Sequence, residues 1–315
     1  LSESEVPKLE DYKLDEREPK FRKFPELIRL IDHRAENPRL SERARYAHYA
    51  SDTAKCMREQ YLGRIGIVAT NPMADTVRRQ GKAGLLYEEW YREDIKRAGL
   101  WAGEEVSLRT HAPEVSVRMD VLFDMRVLRA LFNHHRIELG LMRGLPDGDE
   151  PIAPCEIKSV RTFAFNGNKT FHGYKDKPMW AHYCQTQLYI HMMGLDYGFM
   201  TYINREDAEK SAHIVYKDEE LCALLELRQN TLDWFLENSI VPEREGDIEF
   251  GSRGGLKTSR RCGICDYVYY DFFDEIMAKG TVAERKKMFR ALEDHPVEQL
   301  TENMKKAMGI KDGDE

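Results

Sequence analysis

No run of about 18 uncharged apolar residues occurs in the 315-residue chain, so a membrane-spanning helix is not expected. The stretch Leu1 to Glu18 lacks the basic-then-apolar order of a secretory leader, and the expected compartment is the cytoplasm, that of the host if the chain is phage-encoded. Cysteine is scarce. Six in 315 residues are too few for a disulfide scaffold, and a Cys-x-x-Cys spacing in such a chain reads as metal or redox chemistry. An excess of positive charge is missing as well: 48 Lys and Arg stand against 55 Asp and Glu, a net charge of -7. That excludes a binder whose whole surface attracts phosphate, so any nucleic acid must be met by a local groove. There is no internal repeat and no low-complexity tract.

What is present has the composition of a globular protein, 42% hydrophobic and 33% charged, and is long enough for one large domain or two ordinary ones. The charged, proline-bearing start reads as an arm within residues 1–40, followed by a main domain at 41–279 and a helix with a charged tail at 280–315. Short helices are expected at 25–35 and within 41–61, where Ser51 or Asp52 could cap a helix that carries Cys56. A long helix is expected from about residue 71 to 98, stopping at Gly99, because Val77, Leu85, Leu86, Trp90 and Ile95 recur at helical spacing with Glu88 among them. Strands at 104–110 and 115–123 form a hairpin, while 126–140 is either an extension of it or a short helix. Residues 152–160 are a strand and 163–177 a loop; a helix at 178–194 precedes strands at 197–204 and 213–216. Helices at 218–238 and 282–292 follow. The expected fold class is α/β, a mixed central sheet flanked by helices.

Two of these strands carry acids in otherwise apolar surroundings: Asp120 in the first, and Glu156-Ile157-Lys158 in the second. Strand alternation sends Glu156 and Lys158 to one face and Ile157 to the other. A buried carboxylate beside a lysine is costly unless it meets a partner or a metal. Hard oxygen ligands suit Mg²⁺, and an adjacent lysine can orient a water and offset developing negative charge, which is what phosphodiester hydrolysis requires. Taken alone, most Glu-x-Lys matches are solvated surface pairs.

The ordered set is more specific. A helix with Glu88, a strand with Asp120, then Glu156-x-Lys158, then a helix with Gln185-Thr-Gln-Leu-Tyr189 resembles the PD-(D/E)XK nuclease superfamily in its RecB-like exonuclease branch, over roughly residues 50–275. The branch includes phage recombination exonucleases, helicase-nuclease domains and iron-sulfur nucleases of CRISPR adaptation. The resemblance implies a restriction-endonuclease-like core and a nuclease domain at 41–279. It implies Mg²⁺ or Mn²⁺ held by Glu88, Asp120, Glu156 and the Ile157 carbonyl, with Lys158 positioning the attacking water. Gln185 and Tyr189, one helical turn apart, would support the site and the DNA backbone. Many members carry a histidine where this chain has Tyr87 or Glu88, and Val117 stands where glycine is common; Glu89 is an alternative ligand to Glu88.

In the iron-sulfur members one cysteine precedes the first motif and three follow the last, in the order Cys-x2-Cys-x5-Cys. Here Cys56, Cys262 and Cys265 occupy three of the four places and Asp271 the fourth. The resemblance thus implies a 4Fe–4S cluster, with Zn²⁺ or plain packing of the thiols as alternatives; Cys155, Cys184 and Cys222 read as core. The expected partner is DNA, single-stranded or with free ends, in recombination, repair or replication, alongside a recombination or replication protein. Candidate contacts are Arg161, Lys169, Lys175 and Lys177 with the aromatics Phe163, Phe165, Phe171 and Tyr174, because basic groups neutralise phosphates and aromatics stack on unpaired bases. The alternative there is a solvated loop with core aromatics. Arg260 and Arg261 are weaker candidates, and His182 either faces phosphate or metal or packs. The implied activity is exonucleolytic; a non-catalytic DNA-binding member and a sequence-specific endonuclease are the alternatives.

Overall fold

The computed structural model describes residues 19–24, 48–67, 75–110, 113, 115–141, 144–168, 171–246, 248–250, 256–258, 267–293 and 297–310. In chain order the elements are β1 (Phe21–Lys23), β2 (His48–Tyr49), α1 (Met57–Arg64), α2 (Asp75–Arg97), β3 (Trp101–Arg109), β4 (Val115–Asp124), α3 (Met125–His135), β5 (Ile152–Val160), α4 (Thr162–Asn166), β6 (Gly167–Asn168), β7 (Phe171–His172), α5 (Trp180–Met193), β8 (Tyr197–Asn204), β9 (Lys210–Tyr216), α6 (Glu219–Glu237), β10 (Ile248–Phe250), β11 (Leu256–Thr258), α7 (Val268–Asp271), α8 (Phe273–Lys279), α9 (Val282–Leu292) and α10 (Glu302–Met308). They form two compact units. The larger takes the described residues up to Ala54 and Thr76–Asn230; the smaller takes Lys55–Asp75 and the described residues from Thr231 onward. The segment 41–279 therefore contributes to both.

The larger unit is the expected α/β fold. Its described sheet runs β1-β9-β8-β5-β4-β2, with β3 also paired to β4. β5 and β8 are parallel, as are β2 and β4, while the other pairs are antiparallel. All eight residues of β8 are buried, as befits a strand covered on both faces. Ala153, Cys155, Ile157, Phe199 and Ile203 face one core with Tyr91 and Ile95 of α2 and Leu128 and Phe132 of α3. Val160, Met200 and Tyr202 face the other, against Tyr183, Cys184 and Ile190 of α5. Tyr183 through Ile190 are buried without interruption, so α5 is enclosed and not amphipathic. Gly194, at φ +65°, ends that helix in the left-handed conformation that favours glycine.

Several local expectations are settled by hydrogen bonds. Residues 125–135 are helical because Asp124 caps them, its side chain accepting the amides of Arg126 at 3.0 Å and Val127 at 3.2 Å. The segment 163–177, expected as a loop, contains α4 and the small β6–β7 hairpin instead. It is fastened by the Tyr174 amide to the Ala164 carbonyl and the Lys175 amide to the Phe165 carbonyl, both at 2.9 Å. A Cβ on Gly173 would fall 2.2 Å from the Phe165 carbonyl oxygen, so the two backbones meet only because that residue has no side chain.

In the smaller unit α1, the end of α6 and α7 to α10 surround a core that includes Met57, Leu62, Leu232, Phe235, Phe272, Ile276, Met288, Leu292 and Met304. The helix expected to start at Ser51 or Asp52 starts later. Those residues form a separate 3-10 turn, and Cys56 itself is the N-cap of α1 without a side-chain bond. The carboxylate of Glu245 takes the Met57 amide at 2.7 Å and so caps the helix from a distant position. The α9 helix lies where it was expected; α7, α8 and α10 were not foreseen. Among the described residues no helix is long and apolar enough to cross a membrane.

His213, fully buried on β9, donates from Nε2 to the Tyr174 carbonyl at 2.9 Å and leaves Nδ1 without a hydrogen-bond partner. Burial lowers its pKa to about 4, against the Tyr174 carbonyl, which raises it; Lys23 lowers it further and Asp176 opposes. The unfolded chain therefore takes up this proton first as pH falls. The stability contributed by neutral His213 is fully present above about pH 6.5 and is lost between there and about pH 4. We expect urea unfolding to show a loss on the order of 2–3 kcal/mol across that window in the parent and a visibly smaller one in His213→Gln.

Candidate active site

The site begins where two strands separate. β4 and β5 pair from Asp124↔Ile152 to Val121↔Cys155 and no further. At the next position Asp120 turns its carboxylate across the gap, and Oδ2 accepts the Ile157 amide at 2.8 Å. A side chain thus replaces the ladder acceptor that β4 would have supplied. Strand alternation places Glu156 and Lys158 on the α5 side and Ile157 in the opposite core, as expected from the sequence.

Glu156 has no exposed surface. Its Oε1 is ion-paired with Lys158 Nζ, yet neither carboxylate oxygen receives a well-directed hydrogen bond. Lys158 Nζ also lies 3.9 Å from Asp120 Oδ2 and 3.4 Å from the Ile157 carbonyl. Burial presses the Lys158 ammonium towards neutrality, but Glu156, Asp120 and Glu88 together outweigh it and hold its pKa above the ordinary lysine value. Glu156 is pushed well above the usual carboxylate range, first by burial and then by Asp120, with Lys158 opposing. Glu88 is raised in the same way: burial comes first, Lys158 lowers, and Asp120 raises.

Glu88 arrives from α2. Its Oε1 lies 3.5 Å from the Ser159 amide, and Gly84, one turn earlier on the same face, lets the helix approach: a Cβ there would sit 2.7 Å from Ser159 Oγ. The neighbouring alternatives are engaged elsewhere. Glu89 is paired with Arg92 at 2.5 Å, and Tyr87 donates to the Arg205 carbonyl at 2.6 Å. Gln185 and Tyr189 act on the strand. Gln185 Nε2 donates to Tyr189 Oη, which in turn donates to the Arg118 carbonyl at 2.9 Å, two residues before Asp120. Both side chains are buried, and through these bonds they position β4. His182 packs, with Nδ1 3.0 Å from Tyr202 Oη; burial and the charge of Lys158 lower its pKa to about 3.

The donor set suits a hard divalent cation. Three carboxylates crowd one another, two of them driven towards protonation by burial and mutual repulsion, and the oxygens of Glu156 lack directed donors. Among the described residues no group of three or more His, Cys, Asp or Glu side chains is placed to hold a metal ion. The cation among these acids is the Lys158 ammonium.

The residues expected to meet DNA are sorted by the fold. Phe165 is fully buried and Tyr174 packs on Tyr202, so both are core aromatics, whereas Phe163 is 64% exposed. Arg161 is exposed at the end of β5. Lys175 pairs with Glu209 and lies over the Phe165 ring, and Lys177 is half-buried. Lys169, Arg260 and Arg261 lie outside the described residues, as does the side chain of Phe171. Arg205, at the end of β8, had no signal in the sequence and joins Arg161 in the wall of a groove beside Ser159.

Cys262 and Cys265 also lie outside the described residues. Burial raises the pKa of the Cys56 thiol, with Glu245 adding to it. Asp271 is buried and ion-paired with Arg58, so its carboxylate has a protein partner. Cys155, Cys184 and Cys222 are buried, as expected of core cysteines.

No protein-family model matches the chain, and no curated protein does. A solved structure described as "Crystal structure of SSO0001" is similar with a TM-score of 0.40 and 12% identity, covering 72% of this chain and 86% of that one.

Tyr189→Phe removes the bond to the Arg118 carbonyl and strips the buried Gln185 amide of its acceptor. A loss of about 1–3 kcal/mol in unfolding free energy is expected, with Gln185→Leu added to Tyr189→Phe recovering part of it; additive losses would show the two side chains are uncoupled.

Proposed function

We propose that the larger unit is a divalent-metal-dependent deoxyribonuclease of the PD-(D/E)XK type, acting from DNA ends in recombination, repair or replication. The observation that carries this reading is the convergence of Asp120, Glu156 and Lys158 where β4 and β5 part, with Glu88 brought in from a helix. Acids from two strands and a helix share one small volume with the Lys158 ammonium.

On this reading Glu88, Asp120, Glu156 and the Ile157 carbonyl hold Mg²⁺ or Mn²⁺. When bound, such an ion polarises a phosphoryl oxygen and lowers the pKa of a water it carries. Lys158, kept protonated by its acidic neighbours, orients the attacking water and offsets charge on the phosphoryl oxygens. Asp120 is held in place by the Ile157 amide, so its carboxylate is aimed before any ligand arrives. Gln185 and Tyr189 keep the Arg118 end of β4 from shifting.

A time course on end-labelled linear single-stranded and duplex DNA and on closed circles, with and without Mg²⁺, tests the reading. Cleavage of the linear substrates that needs the metal is expected, with Lys158→Ala and Asp120→Ala each losing about a hundredfold or more while remaining folded. Parent-like cutting by both variants overturns the site. Discrete fragments from circles indicate an endonuclease, and DNA binding without cleavage under either ion indicates a binding protein.

A further inference from the structure

His182, Gln185 and Tyr189 stand at i, i+3 and i+7 of α5 and so share one stripe of the helix. Gln185 and Tyr189 are buried and spent on β4, whereas His182 is half-buried. Its ring packs against Tyr202 and Tyr174. Tyr202 lies on β8 in register with Lys158 of β5, on the α5 side of the sheet, so it touches His182 and neighbours the ammonium of the acidic cluster. The Lys158 side chain keeps a quarter of its surface exposed, so the cluster is open to solvent at that residue.

The Tyr202 hydroxyl decides which nitrogen of His182 carries the proton. Tyr202 has no exposed surface, and among the described residues two groups bond its oxygen: the Met179 amide at 3.0 Å, which only donates, and His182 Nδ1 at 3.0 Å. A buried hydroxyl proton needs an acceptor, and Nδ1 is the one in reach. Nδ1 therefore accepts a bond and bears no proton. Burial and then Lys158 lower the pKa of the ring to about 3, so at neutral pH it carries a single proton, which is on Nε2. Among the described residues nothing bonds Nε2, and it is not enclosed. Ligating a metal there would move the proton to Nδ1 and leave the Tyr202 hydroxyl without an acceptor. Of the two ligands that the sequence left open for this histidine, phosphate and metal, the tautomer selects phosphate.

We propose that His182, held as its neutral Nε2–H tautomer by Tyr202, binds a non-bridging phosphate oxygen of the DNA beside Lys158, with Tyr202 as the residue that positions it. This rests on the deoxyribonuclease reading and gives its site a second phosphate donor of a different kind. Lys158 meets the phosphate as a charge; His182 meets it as a direction, because an N–H has to point at its acceptor. A neutral donor also carries no charge for the three carboxylates to capture.

Two variants separate the outward donor from the packing. Asparagine places its oxygen near Nδ1 and keeps an acceptor for Tyr202, with nothing at Nε2, while glutamine places an amide N–H near Nε2. Fluorescence anisotropy with labelled oligo(dT), the full chain and Ca²⁺ in place of Mg²⁺ is expected to show binding about tenfold weaker in His182→Asn, the order of one hydrogen bond to a charged oxygen, and largely restored in His182→Gln. The salt dependence of binding stays that of the parent in both, because a neutral donor releases no counterion. In ¹⁵N NMR of the histidine rings at neutral pH, the His182 signal, identified by its absence from His182→Asn, shows Nε2 protonated and Nδ1 bare. Tyr202→Phe moves the Nδ1 resonance towards that of a nitrogen that accepts no bond. A protonated Nδ1 in the parent, or an Nδ1 resonance unmoved in Tyr202→Phe, overturns the proposal whatever the DNA does. So does a flattened salt dependence in His182→Asn, or an equal loss in His182→Asn and His182→Gln, which would make the residue structural. If the parent binds and cuts DNA and His182→Asn does both equally well, the nuclease reading stands and this assignment falls. If the parent neither binds nor cuts, both fall together.

Discussion

A carboxylate with no exposed surface has to be matched from within, and the core of the larger unit is arranged around that requirement at Glu156. The residue sits on β5, which is parallel to β8 on one side and paired with β4 on the other for only part of its length. Two residues on, Lys158 supplies the opposite charge, and the two side chains reach each other because strand alternation puts them on one face. The β4–β5 ladder ends at Val121↔Cys155, one position before Asp120 would stand opposite Glu156. The strands part at that point, and the freed Ile157 amide is taken by Asp120 itself. Replacing a backbone acceptor with a carboxylate keeps the buried donor satisfied and fixes an acid in space.

The surrounding helices maintain this opening. The enclosed α5 does so through Gln185 and Tyr189, which hold the β4 backbone at Arg118, while α2 does so by passing close to Ser159 at Gly84 and delivering Glu88 one turn later. Glu89, the adjacent acid, points away to Arg92. A helix presents neighbouring residues about 100° apart, so an approach tight enough for Glu88 excludes Glu89. Tyr87 ties the same helix to the turn after β8 at the Arg205 carbonyl, which links the acid-bearing helix to the wall of the groove beside Ser159.

The order of strands and helices was legible because it rests on local pattern: alternation in β4 and β5, helical spacing in α2 and α6, the proline-led start of α5. The grouping of Asp120, Glu156 and Lys158 was legible only through their order along a resembling family, since nothing local states that β4 and β5 separate at residue 121. What escaped the sequence depends on partners far along the chain. The cap of α1 comes from Glu245, almost 190 residues away, so Ser51 and Asp52 were the nearer and wrong candidates. Phe163 and Phe165 look alike in sequence, and only the fastening of α4 by Tyr174 and Lys175 buries one and exposes the other. Asp271 stood at a spacing that suggested a ligand, and its tie to Arg58 is invisible without tertiary contact.

The Ile157 amide differs from its neighbours in the sheet. Most buried strand amides are released to solvent when a neighbouring strand peels away, so their exchange reports the unzipping of the ladder. This one is held by a side chain across a gap where the ladder has already ended. Its protection lasts as long as Asp120 stays in place, so a single backbone proton in the middle of the sheet records the position of a side chain rather than the integrity of a strand.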